Sequence, residues 1–438
     1  MTFSTSILQQ YLPTSHRGVW WIALSGGLDS CVLLHSIVAL NLLVKLRALH
    51  INHQISPNAR EWQEHCAALC ASLNIPFTAV SVTVKNTGRG IEDAAREARY
   101  AVFEEYVQAD DYLLTGHHAD DQAETLLLRL MRGAGPRGLS AMARERVLGK
   151  GTLYRPLLNF TRSELEKYAS ACGLTWVDDE SNSDDHYDRN FIRNQIMPVL
   201  RRRWPHFTQK WQQTSELCAA NELLIEELAQ QDLMLANFKP SLVGTCVSLE
   251  YLESLSIPRR HNLIRVWLRG QGLSTPEQQH LQQIEQQLIG GRQDSEAQVS
   301  WGDVSLRVYR QRMYALPIAD TLQISAPSFE FATDIEVANN LWLSFHLIQS
   351  SNKPLLKDDL PNLHVRFRQG GERCRPVGRG HSQTLKRLLQ DYGVEPWLRE
   401  SLPLIYSDQN LVAVADLWIC EGFQADSGYR LDYGRKAE

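Results

Sequence analysis

Apolar residues in the first 200 positions form short runs and longer stretches that alternate along the chain. The short runs, typical of buried strands, occupy residues 19–24, 46–51, 77–84 and 112–115. Each run is followed by a stretch of helical character, at residues 29–44, 58–73, 91–107 and 120–131. Regular alternation of strand and helix predicts an α/β fold, a parallel sheet with helices on both faces. Ligands bind outside the carboxyl ends of such strands, so functional residues are expected in the loops that follow them.

The pattern changes at Trp204-Pro205. Residues 207–237 form one long helical stretch rich in Gln, Glu, Leu and Ala, and a strand-like alternation follows at residues 304–309. Residues 320–328 are polar and contain a proline, which favours a linker. The remainder has the pattern of a small mixed α/β domain, with apolar segments at residues 341–347 and 411–418.

Chain length agrees with several domains, because 438 residues exceed the roughly 250–300 that one hydrophobic core supports. The sequence therefore predicts three domains: an α/β domain at residues 1–205, a mostly helical connector domain at 206–320, and a small α/β domain at 321–438.

Composition narrows the class of protein further. Hydrophobic residues make up 43% of the chain and the net charge is −5, as in an ordinary globular protein. No apolar run approaches the roughly 18 residues of a membrane span, and the N-terminus has no secretory pattern. We therefore expect a cytoplasmic protein with no membrane partner. The eight cysteines are dispersed and form no Cys-x-x-Cys pair, which argues against a disulfide framework.

The first motif is the segment Ser25-Gly26-Gly27-Leu28-Asp29-Ser30, which follows the first predicted strand and opens the first helix. We call it the phosphate loop and take all six residues as ATP-binding candidates. Two glycines allow the backbone to approach an anion closely, and the helix N-terminus presents N–H groups to it. Asp29 is too negative to contact phosphate directly, so a magnesium-mediated or capping role suits it better. The alternative is an ordinary strand–helix turn with Ser25 or Asp29 as the N-cap.

This loop resembles the pyrophosphate loop of the N-type ATP pyrophosphatases, a family of Rossmann-like PP-loop ATPases. The resemblance implies that ATP is cleaved to AMP and pyrophosphate, with AMP transferred to a carbonyl oxygen that then becomes a leaving group. The family includes GMP, asparagine and NAD synthetases, tRNA thiolases and tRNA(Ile)-lysidine synthetases.

The second motif lies in residues 113–125 and resembles the His-His-x-Asp-Asp-Gln-x-Glu-Thr signature of lysidine synthetases and some tRNA thiolases. It is placed at a predicted strand end that leads into a helix, where residues three and four apart converge. Carboxylates there can hold magnesium or accept a hydrogen bond from a cytosine amino group. A helix cap formed by Asp121 and Glu124 is the alternative, and both roles are compatible. The catalytic candidates are His117, Asp120, Asp121 and Glu124.

A third motif, at residues 176–182 and 188–193, resembles the lysidine synthetase pattern Asp-x-Ser-Asn-x-Asp…Arg-Asn-x-Ile-Arg. Arg189 and Arg193 are one helical turn apart and can clamp phosphate or a base with planar guanidinium groups. We take Arg189, Asn190 and Arg193 as tRNA-binding candidates. The six acids between residues 178 and 188 have the alternative of a solvated loop.

The last signal is a basic, glycine-rich stretch at residues 364–390, with seven Arg or Lys against one acid. Such a stretch in an acidic protein favours contact with an RNA backbone, although an ordinary charged surface is the alternative. The neighbouring segment 385–404 resembles the C-terminal domain of lysidine synthetases. The tRNA-binding candidates here are Arg373, Arg375, Arg379, Lys386 and Arg387.

Together these motifs resemble the lysidine synthetase family over most of the chain. The resemblance implies that residues 1–205 form the catalytic domain and that the connector domain at 206–320 and the C-terminal domain at 321–438 both bind tRNA. The resemblance implies ATP-dependent ligation of lysine to C2 of the cytidine at the first anticodon position of CAU-anticodon tRNA(Ile). An adenylated cytidine is the intermediate, and codon recognition switches from AUG to AUA. It implies ATP and Mg²⁺ as cofactors, with Asp29 as the magnesium candidate, and tRNA(Ile) and free L-lysine as partners. The oligomeric state stays open, with a homodimer among the alternatives.

Two other functions remain open at this point. A tRNA thiolase of the same fold needs thiolate chemistry or an iron–sulfur cluster, and Cys31 is the one cysteine beside a motif. A non-catalytic RNA-binding protein with a relic ATP loop is the other.

One segment departs from the family pattern. Residues 51–56 occupy the usual His-Gly-Leu-Arg region, with Gln54 in place of the glycine and Ser56 in place of the arginine.

Overall fold

A computed structural model describes residues 3–14, 17–84, 91–180, 184–291, 297–318, 334–338, 341–351 and 353–435. The chain divides into two compact units between Leu224 and Ile225. The predicted boundary at residues 205/206 stays a prediction. The boundary at 320/321 and the whole predicted linker lie outside the described residues.

The first unit contains a six-stranded sheet that confirms the predicted parallel arrangement. Its strands run in the order β3-β2-β1-β4-β6-β5, and every neighbouring pair is parallel except β5 with β6. The strands are β1 Val19–Ala23, β2 Lys45–Asn52, β3 Phe77–Ser81, β4 Tyr112–Leu114, β5 Glu145–Leu148 and β6 Gly151–Tyr154.

The helices between these strands lie close to their predicted positions. The predicted helix at residues 29–44 ends earlier, at Ala39, because Asn41 has a φ of 50°, a left-handed conformation that does not continue a helix. The helices are α1 Thr5–Leu8, α2 Leu28–Ala39, α3 Ala59–Ser72, α4 Ile91–Tyr106, α5 Ala119–Met131, α6 Pro136–Leu139, α7 Arg162–Ala171, α8 Asp188–Phe191, α9 Met197–Arg203 and the long α10 Phe207–Leu235.

Helices cover both faces of the sheet, as the alternation predicts. Successive strand residues point to opposite faces, so Trp20 packs in one core cluster with Leu33 of α2 and Leu165 of α7. Trp21 packs in another cluster with Phe103 of α4. The chain passes from β1 outward to β2 and β3 and then returns to the other side of β1 with β4. This reversal opens a crevice at the carboxyl ends of β1 and β4, where ligands bind in sheets of this type.

The second unit begins with the helical region that the sequence predicts. Its helices are α11 Leu249–Ser254, α12 Ile257–Gly270 and α13 Gln278–Gln283, which continues into a π-helical segment, Ile284–Ile289. The region also contains an antiparallel sheet of order β7-β8-β11-β10-β9, larger than the one alternating segment anticipated. Its strands are β7 Lys239–Pro240, β8 Thr245–Ser248, β9 Gln298–Trp301, β10 Val304–Tyr309 and β11 Arg312–Pro317.

The C-terminal part confirms a small mixed α/β region. Two antiparallel sheets, of order β12-β13-β22-β14-β21 and β15-β18-β19-β20, and the hairpin β16-β17 pack with the helix α14 Leu385–Asp391. The strands are β12 Ile335–Ala338, β13 Leu341–Ile348, β14 Leu355–Leu356, β15 Leu363–Arg366, β16 Arg373–Cys374, β17 Gln383–Thr384, β18 Leu404–Ser407, β19 Asn410–Val414, β20 Trp418–Ile419, β21 Gln424–Ala425 and β22 Gly428–Arg435. Over the described ranges, none of the helices has the length and apolar character needed to cross a membrane.

Candidate active site

The phosphate loop turns sharply at Gly26, which has a φ of +90°. A Cβ atom at this position would lie 3.0 Å from Val177 Cγ2 and 3.1 Å from Cys66 Sγ. The turn therefore needs glycine both for its conformation and for the space beneath it. The Gly26 carbonyl accepts a hydrogen bond from the Val177 N–H at 3.0 Å, which holds the loop against the segment after α7.

Internal hydrogen bonds fix the shape of the loop. The Ser30 hydroxyl donates to the Gly27 carbonyl at 3.0 Å and accepts from the Ser25 N–H at 3.2 Å. The N-cap residue of helix α2 is Gly27, which has no side chain. The first N–H groups of α2 are therefore not used by a side-chain cap. These N–H groups and the positive end of the helix dipole suit an anion. The Leu28 side chain is buried in the core, so Leu28 can offer only its backbone N–H.

Asp29 places an unsatisfied carboxylate oxygen beside this loop. Its Oδ2 lies 3.5 Å from His118 Nε2 and 3.9 Å from Arg162 Nη1. Its Oδ1 is buried and has no hydrogen-bond partner among the described residues. An orphaned buried carboxylate oxygen fits a hard cation such as Mg²⁺, which prefers oxygen ligands. No cluster of three metal-ligating side chains occurs in the described part of the chain. The chemistry of Asp29 therefore fits the magnesium role that the sequence predicts for it.

His118 lies between three carboxylates at the start of α5. Its Nε2 is 3.4 Å from Asp121 Oδ2 and 3.5 Å from Asp29 Oδ2, and its Nδ1 is 3.8 Å from Asp120 Oδ2. Burial alone would lower the pKa of His118, but these carboxylates outweigh it and raise the pKa to about 9. A helix cap, foreseen as an alternative, is also present: Asp121 Oδ2 accepts from the His118 backbone N–H at 3.0 Å, so the partner of Asp121 is His118 instead of Glu124.

His117 has the opposite environment. Its Nδ1 lies 2.8 Å from the Thr115 hydroxyl. Burial is the largest cause and lowers the pKa of His117 to about 4; the charge of Asp121 opposes this shift, and nearby arginines, Arg155 first among them, add to it. One histidine of the pair is therefore neutral at neutral pH while its neighbour is charged. Only the neutral imidazole of His117 can accept a proton under those conditions.

The lowered pKa of His117 makes stability depend on pH in a defined direction. Below its ordinary pKa of 6.5 the unfolded chain binds a proton at this histidine, whereas the folded chain stays neutral down to about pH 4. The free energy of unfolding therefore falls as the pH is lowered through that window. We expect His117→Gln to reduce the loss of unfolding free energy between pH 7 and pH 4 by about 3 kcal/mol. Urea unfolding of the wild type and of His117→Gln at pH 7 and pH 4 measures this difference. An equal loss of unfolding free energy in the two proteins would contradict a neutral His117 imidazole.

Asp121 and Glu124 are paired with the two arginines of the third motif. Asp121 Oδ1 lies 3.2 Å from Arg189 Nη2 and 3.1 Å from Arg193 Nη2. Arg189 Nε donates to Glu124 Oε2 at 2.9 Å, and Arg193 Nε donates to Glu124 Oε1 at 2.7 Å. Burial would raise the pKa of Asp121, but His118 and these arginines hold it well below its ordinary value. Two anions and two cations therefore balance, and Asp121 stays ionised.

The arginines lie on a helical stretch with an irregular turn. Helix α8 continues through the π-helical segment Ile192–Ile196 into α9. Pro198 lacks the N–H that would bond the carbonyl of residue 194 in a regular α-helix, which explains the wider turn. At the far end of this stretch Arg201 pairs with Asp120, whose Oδ2 also accepts from the Arg162 N–H at 2.8 Å. Asp120 thus joins three helices together.

A cavity of about 770 Å³ brings most of these groups to one place. Its wall includes all of the phosphate loop except Gly26, and among the other candidates it includes His117, Asp121, Asn190 and Arg193. Among the candidates of the first three motifs, four are not part of the wall: Gly26, Asp120, Glu124 and Arg189. Each of these four is hydrogen-bonded to a residue of the wall.

The cavity wall also contains residues that the motifs did not single out, among them Asn52, His53, Trp62, Tyr100 and Gly116. A Cβ at Gly116 would lie 3.0 Å from the carbonyl carbon of Asp29, so this glycine lets the segment after β4 approach the phosphate loop. The sequence signal for Gly116 was its position within the second motif.

Gln54, where the family has glycine, has a φ of 56°, a conformation that glycine adopts without strain.

The five basic candidates of the C-terminal stretch lie in the second unit. Arg379 pairs with Asp391 at 3.1 Å and lies over the Tyr392 ring. The other four are exposed: Arg373 and Arg375 around the β16-β17 hairpin, and Lys386 and Arg387 on α14. Exposed cations of this kind suit the backbone of a polyanion.

Comparisons with known proteins identify three matching regions. A PP-loop domain matches residues 1–200, a TilS substrate binding domain matches residues 248–314, and a TilS substrate C-terminal domain matches residues 363–433.

Curated relatives match along nearly the whole chain. The tRNA(Ile)-lysidine synthase of Coxiella burnetii is 39% identical over 414 residues, which cover 92% of this chain and 90% of the relative. The tRNA(Ile)-lysidine synthase of Serratia proteamaculans is 37% identical over 423 residues, covering 95% of each chain. A solved structure, the U34-tRNA thiolase NcsA from Methanococcus maripaludis with its 4Fe-4S cluster, is 17% identical with a TM-score of 0.42, covering 49% of this chain and 78% of that one.

Proposed function

This chain belongs to the tRNA(Ile)-lysidine synthase family, whose members are ATP-using enzymes of tRNA modification, and from this premise we propose how it performs the reaction. The O2 atom of the cytosine at the first anticodon position of CAU-anticodon tRNA(Ile) attacks the α-phosphorus of ATP, and pyrophosphate leaves. The side-chain amine of free L-lysine then attacks C2. The C2–O2 bond breaks, AMP departs with that oxygen, and the amine loses a proton. Lysidine forms, and codon recognition switches from AUG to AUA.

The observation that carries this proposal is the shared cavity. One wall is the phosphate loop, which suits pyrophosphate, and another is the His117–Asp121 cluster at the end of β4. A base that enters between them meets the α-phosphate of ATP on one side and a proton acceptor on the other. The cytosine must leave the anticodon stack to enter, which costs little in a single-stranded loop.

The residues divide into separate roles. The loop N–H groups and the Ser25 and Ser30 hydroxyls stabilise the charge that grows on pyrophosphate. Asp29 would hold Mg²⁺, which when bound would neutralise phosphate charge. The neutral imidazole of His117 accepts the proton of the amine. Asp121 stays ionised and attracts the cationic groups of lysine.

Labelled pyrophosphate tests the adenylated intermediate directly. We expect exchange of pyrophosphate into ATP when CAU-anticodon tRNA(Ile) is present and lysine is absent, because adenylation precedes attack by lysine. Exchange that needs lysine, or that proceeds without tRNA, would contradict this order of steps. A tRNA(Ile) with another anticodon serves as the control for the reacting base.

The thiolase alternative is not favoured by the cysteine beside the loop. Burial raises the pKa of Cys31 to about 12, so its thiol is protonated at neutral pH and is a poor nucleophile. Its Sγ donates to the Gly26 carbonyl at 3.3 Å, a structural contact. Cys31→Ala is therefore a useful control, because loss of turnover with intact ATP binding would revive sulfur chemistry.

The basic C-terminal stretch has its own expected result. We expect Arg373→Ala/Arg375→Ala to weaken tRNA binding and to reduce the dependence of binding on salt, since each lost phosphate contact removes about 0.7–0.9 from the slope of log K against log salt. Titrations of tRNA between low and moderate salt measure both quantities. An unchanged slope would mean that these arginines form only an ordinary charged surface.

A further inference from the structure

Three arginines surround the Tyr100 side chain on α4, and the reaction proposed above does not use them. The guanidinium carbon of Arg146 lies 4.8 Å from the centroid of the Tyr100 ring, and that of Arg96 lies 5.1 Å from it. Arg155 is close enough to Tyr100 for the two groups to influence each other's pKa. We call Arg96, Tyr100, Arg146 and Arg155 the arginine cluster.

No acid balances this cluster among the side chains that the structure describes. None of its three arginines has a salt bridge there, and the charges that act on the pKa of Tyr100 are all arginines. Glu145 precedes Arg146 on β5 and lies opposite Tyr154 in the strand pairing, so it belongs to the other face of the sheet. Three cations therefore share one aromatic side chain without an anion.

Arg155 is the residue of the cluster that most needs an anion as partner. It is only 4% exposed, yet it is charged, and its Nη1 donates to the Ala143 carbonyl at 2.6 Å. Its Nε is buried with no hydrogen-bond partner among the described residues. A buried cation without a carboxylate is costly, and an anion at the cluster would offset that cost.

The cluster lies beside the proposed reaction site. Arg155 follows the last residue of β6, and Arg146 is paired with Leu153 on the adjacent strand, so both lie near the carboxyl end of β6. Strand β6 is the parallel neighbour of β4, whose end leads to His117. Adjacent strands are about 4.8 Å apart, a distance comparable to that between a base and its own backbone. Tyr100 belongs both to the cluster and to the cavity wall.

We infer that the arginine cluster binds a backbone phosphate of the RNA beside the nucleotide whose base enters the cavity. This inference rests on the proposed function and deepens it by naming where the anticodon backbone is held. Guanidinium groups bind phosphate oxygens with paired N–H donors, and such contacts set register without reading sequence. Because Arg96 and Arg146 already lie over the Tyr100 ring, the cluster offers charge, not a free aromatic face for stacking.

The phosphates of ATP are the other source of the same chemistry. The phosphate loop at the end of β1 already offers N–H groups and hydroxyls to them, and β4 separates β1 from β6 in the sheet. Arg96 and Arg146 are moreover exposed, as contact with a large polyanion requires. The position therefore favours RNA, and measured ATP affinity distinguishes the two sources.

The test compares Arg96→Ala/Arg146→Ala with Arg47→Ala. Arg47 is a matched control because it is exposed, lies in the same unit and makes a similar contact, 5.5 Å from the Trp21 ring centroid. Wild-type protein must first form lysidine on tRNA(Ile); if it does not, the proposed function fails independently of the cluster. The affinities for tRNA at several salt concentrations and for ATP are then measured for each variant.

We expect the double variant to bind tRNA about tenfold more weakly and its salt slope to fall by about 0.7 or more, with ATP affinity unchanged. Arg47→Ala should resemble wild type in all three measurements. Binding of tRNA by the double variant that equals the control would overturn the inference. Loss of ATP affinity with unchanged tRNA binding would assign the cluster to ATP and overturn it as well. Arg146→Ala alone serves as the second variant if the double variant unfolds.

Discussion

Asp121→Asn is expected to lower lysidine formation by at least about a thousandfold while leaving tRNA affinity within about twofold of wild type. The substitution keeps the shape of the side chain but removes its negative charge. Asp121 Oδ1 lies near Arg189 and Arg193, and its Oδ2 lies 3.4 Å from His118 Nε2. Without that charge the cavity loses its attraction for the amine and the balance of its cations.

Glu164→Gln is the matched control for this prediction. Glu164 closes a capping box on α7 by accepting from the Thr161 N–H at 2.8 Å, just as Asp121 closes one on α5. Glu164 does not line the cavity. Both substitutions weaken a helix cap by a comparable amount, about 1 kcal/mol, so only a role in the reaction separates them. Retained activity in Asp121→Asn, or equal loss in both variants, would contradict the role of Asp121.

Gly26→Ala is expected to abolish measurable ATP binding and to lower the free energy of unfolding by about 1–3 kcal/mol. The new methyl group would lie 3.0 Å from Val177 Cγ2 and 3.1 Å from Cys66 Sγ, and the φ of +90° strains any residue other than glycine. The loop must therefore shift away from the N-terminus of α2, which separates the two halves of the proposed pyrophosphate site.

Gly27→Ala in the same loop is the control that separates the effect of backbone strain at Gly26 from the effect of replacing a loop glycine. Gly27 has a φ of −72°, and its added Cβ would meet the Ser25 hydroxyl at 3.5 Å, an ordinary contact. We expect its free energy of unfolding to stay within about 1 kcal/mol of wild type. Calorimetry with ATP and urea unfolding of both variants provide the comparison. Wild-type ATP affinity in Gly26→Ala would mean that the turn at Gly26 does not shape the site.

The sheet was predictable because each strand and helix carries its own local pattern. The run before Ser25 is apolar throughout, as a strand buried on both faces must be, and the glycine pair marks the turn that follows. The antiparallel sheet of the second unit was largely missed. Its strands β8 and β9 have only four residues each and β7 has only two, too short for a periodic signal.

The candidate site was predictable as a set of motifs but not as a set of contacts. Arg189 and Arg193 reach Glu124 across 65 and 69 positions of the chain, and helical spacing contains no information about such pairs. Likewise, no local pattern distinguishes His117 from His118. Their pKa values move in opposite directions because Asp121, Asp29 and Asp120 surround His118, whereas burial is the largest influence on His117. Tertiary charge placement, which no short motif encodes, decides these features.

Mass spectrometry of nucleosides tests the central claim most directly. Unmodified CAU-anticodon tRNA(Ile) is incubated with the protein, ATP, Mg²⁺ and isotope-labelled L-lysine, then digested and analysed. The account predicts a labelled cytidine adduct at the first anticodon position, with one AMP released per adduct. Release of AMP in a tRNA-dependent manner with no labelled adduct would contradict lysine as the nucleophile, and an adduct at another position would contradict the assigned target.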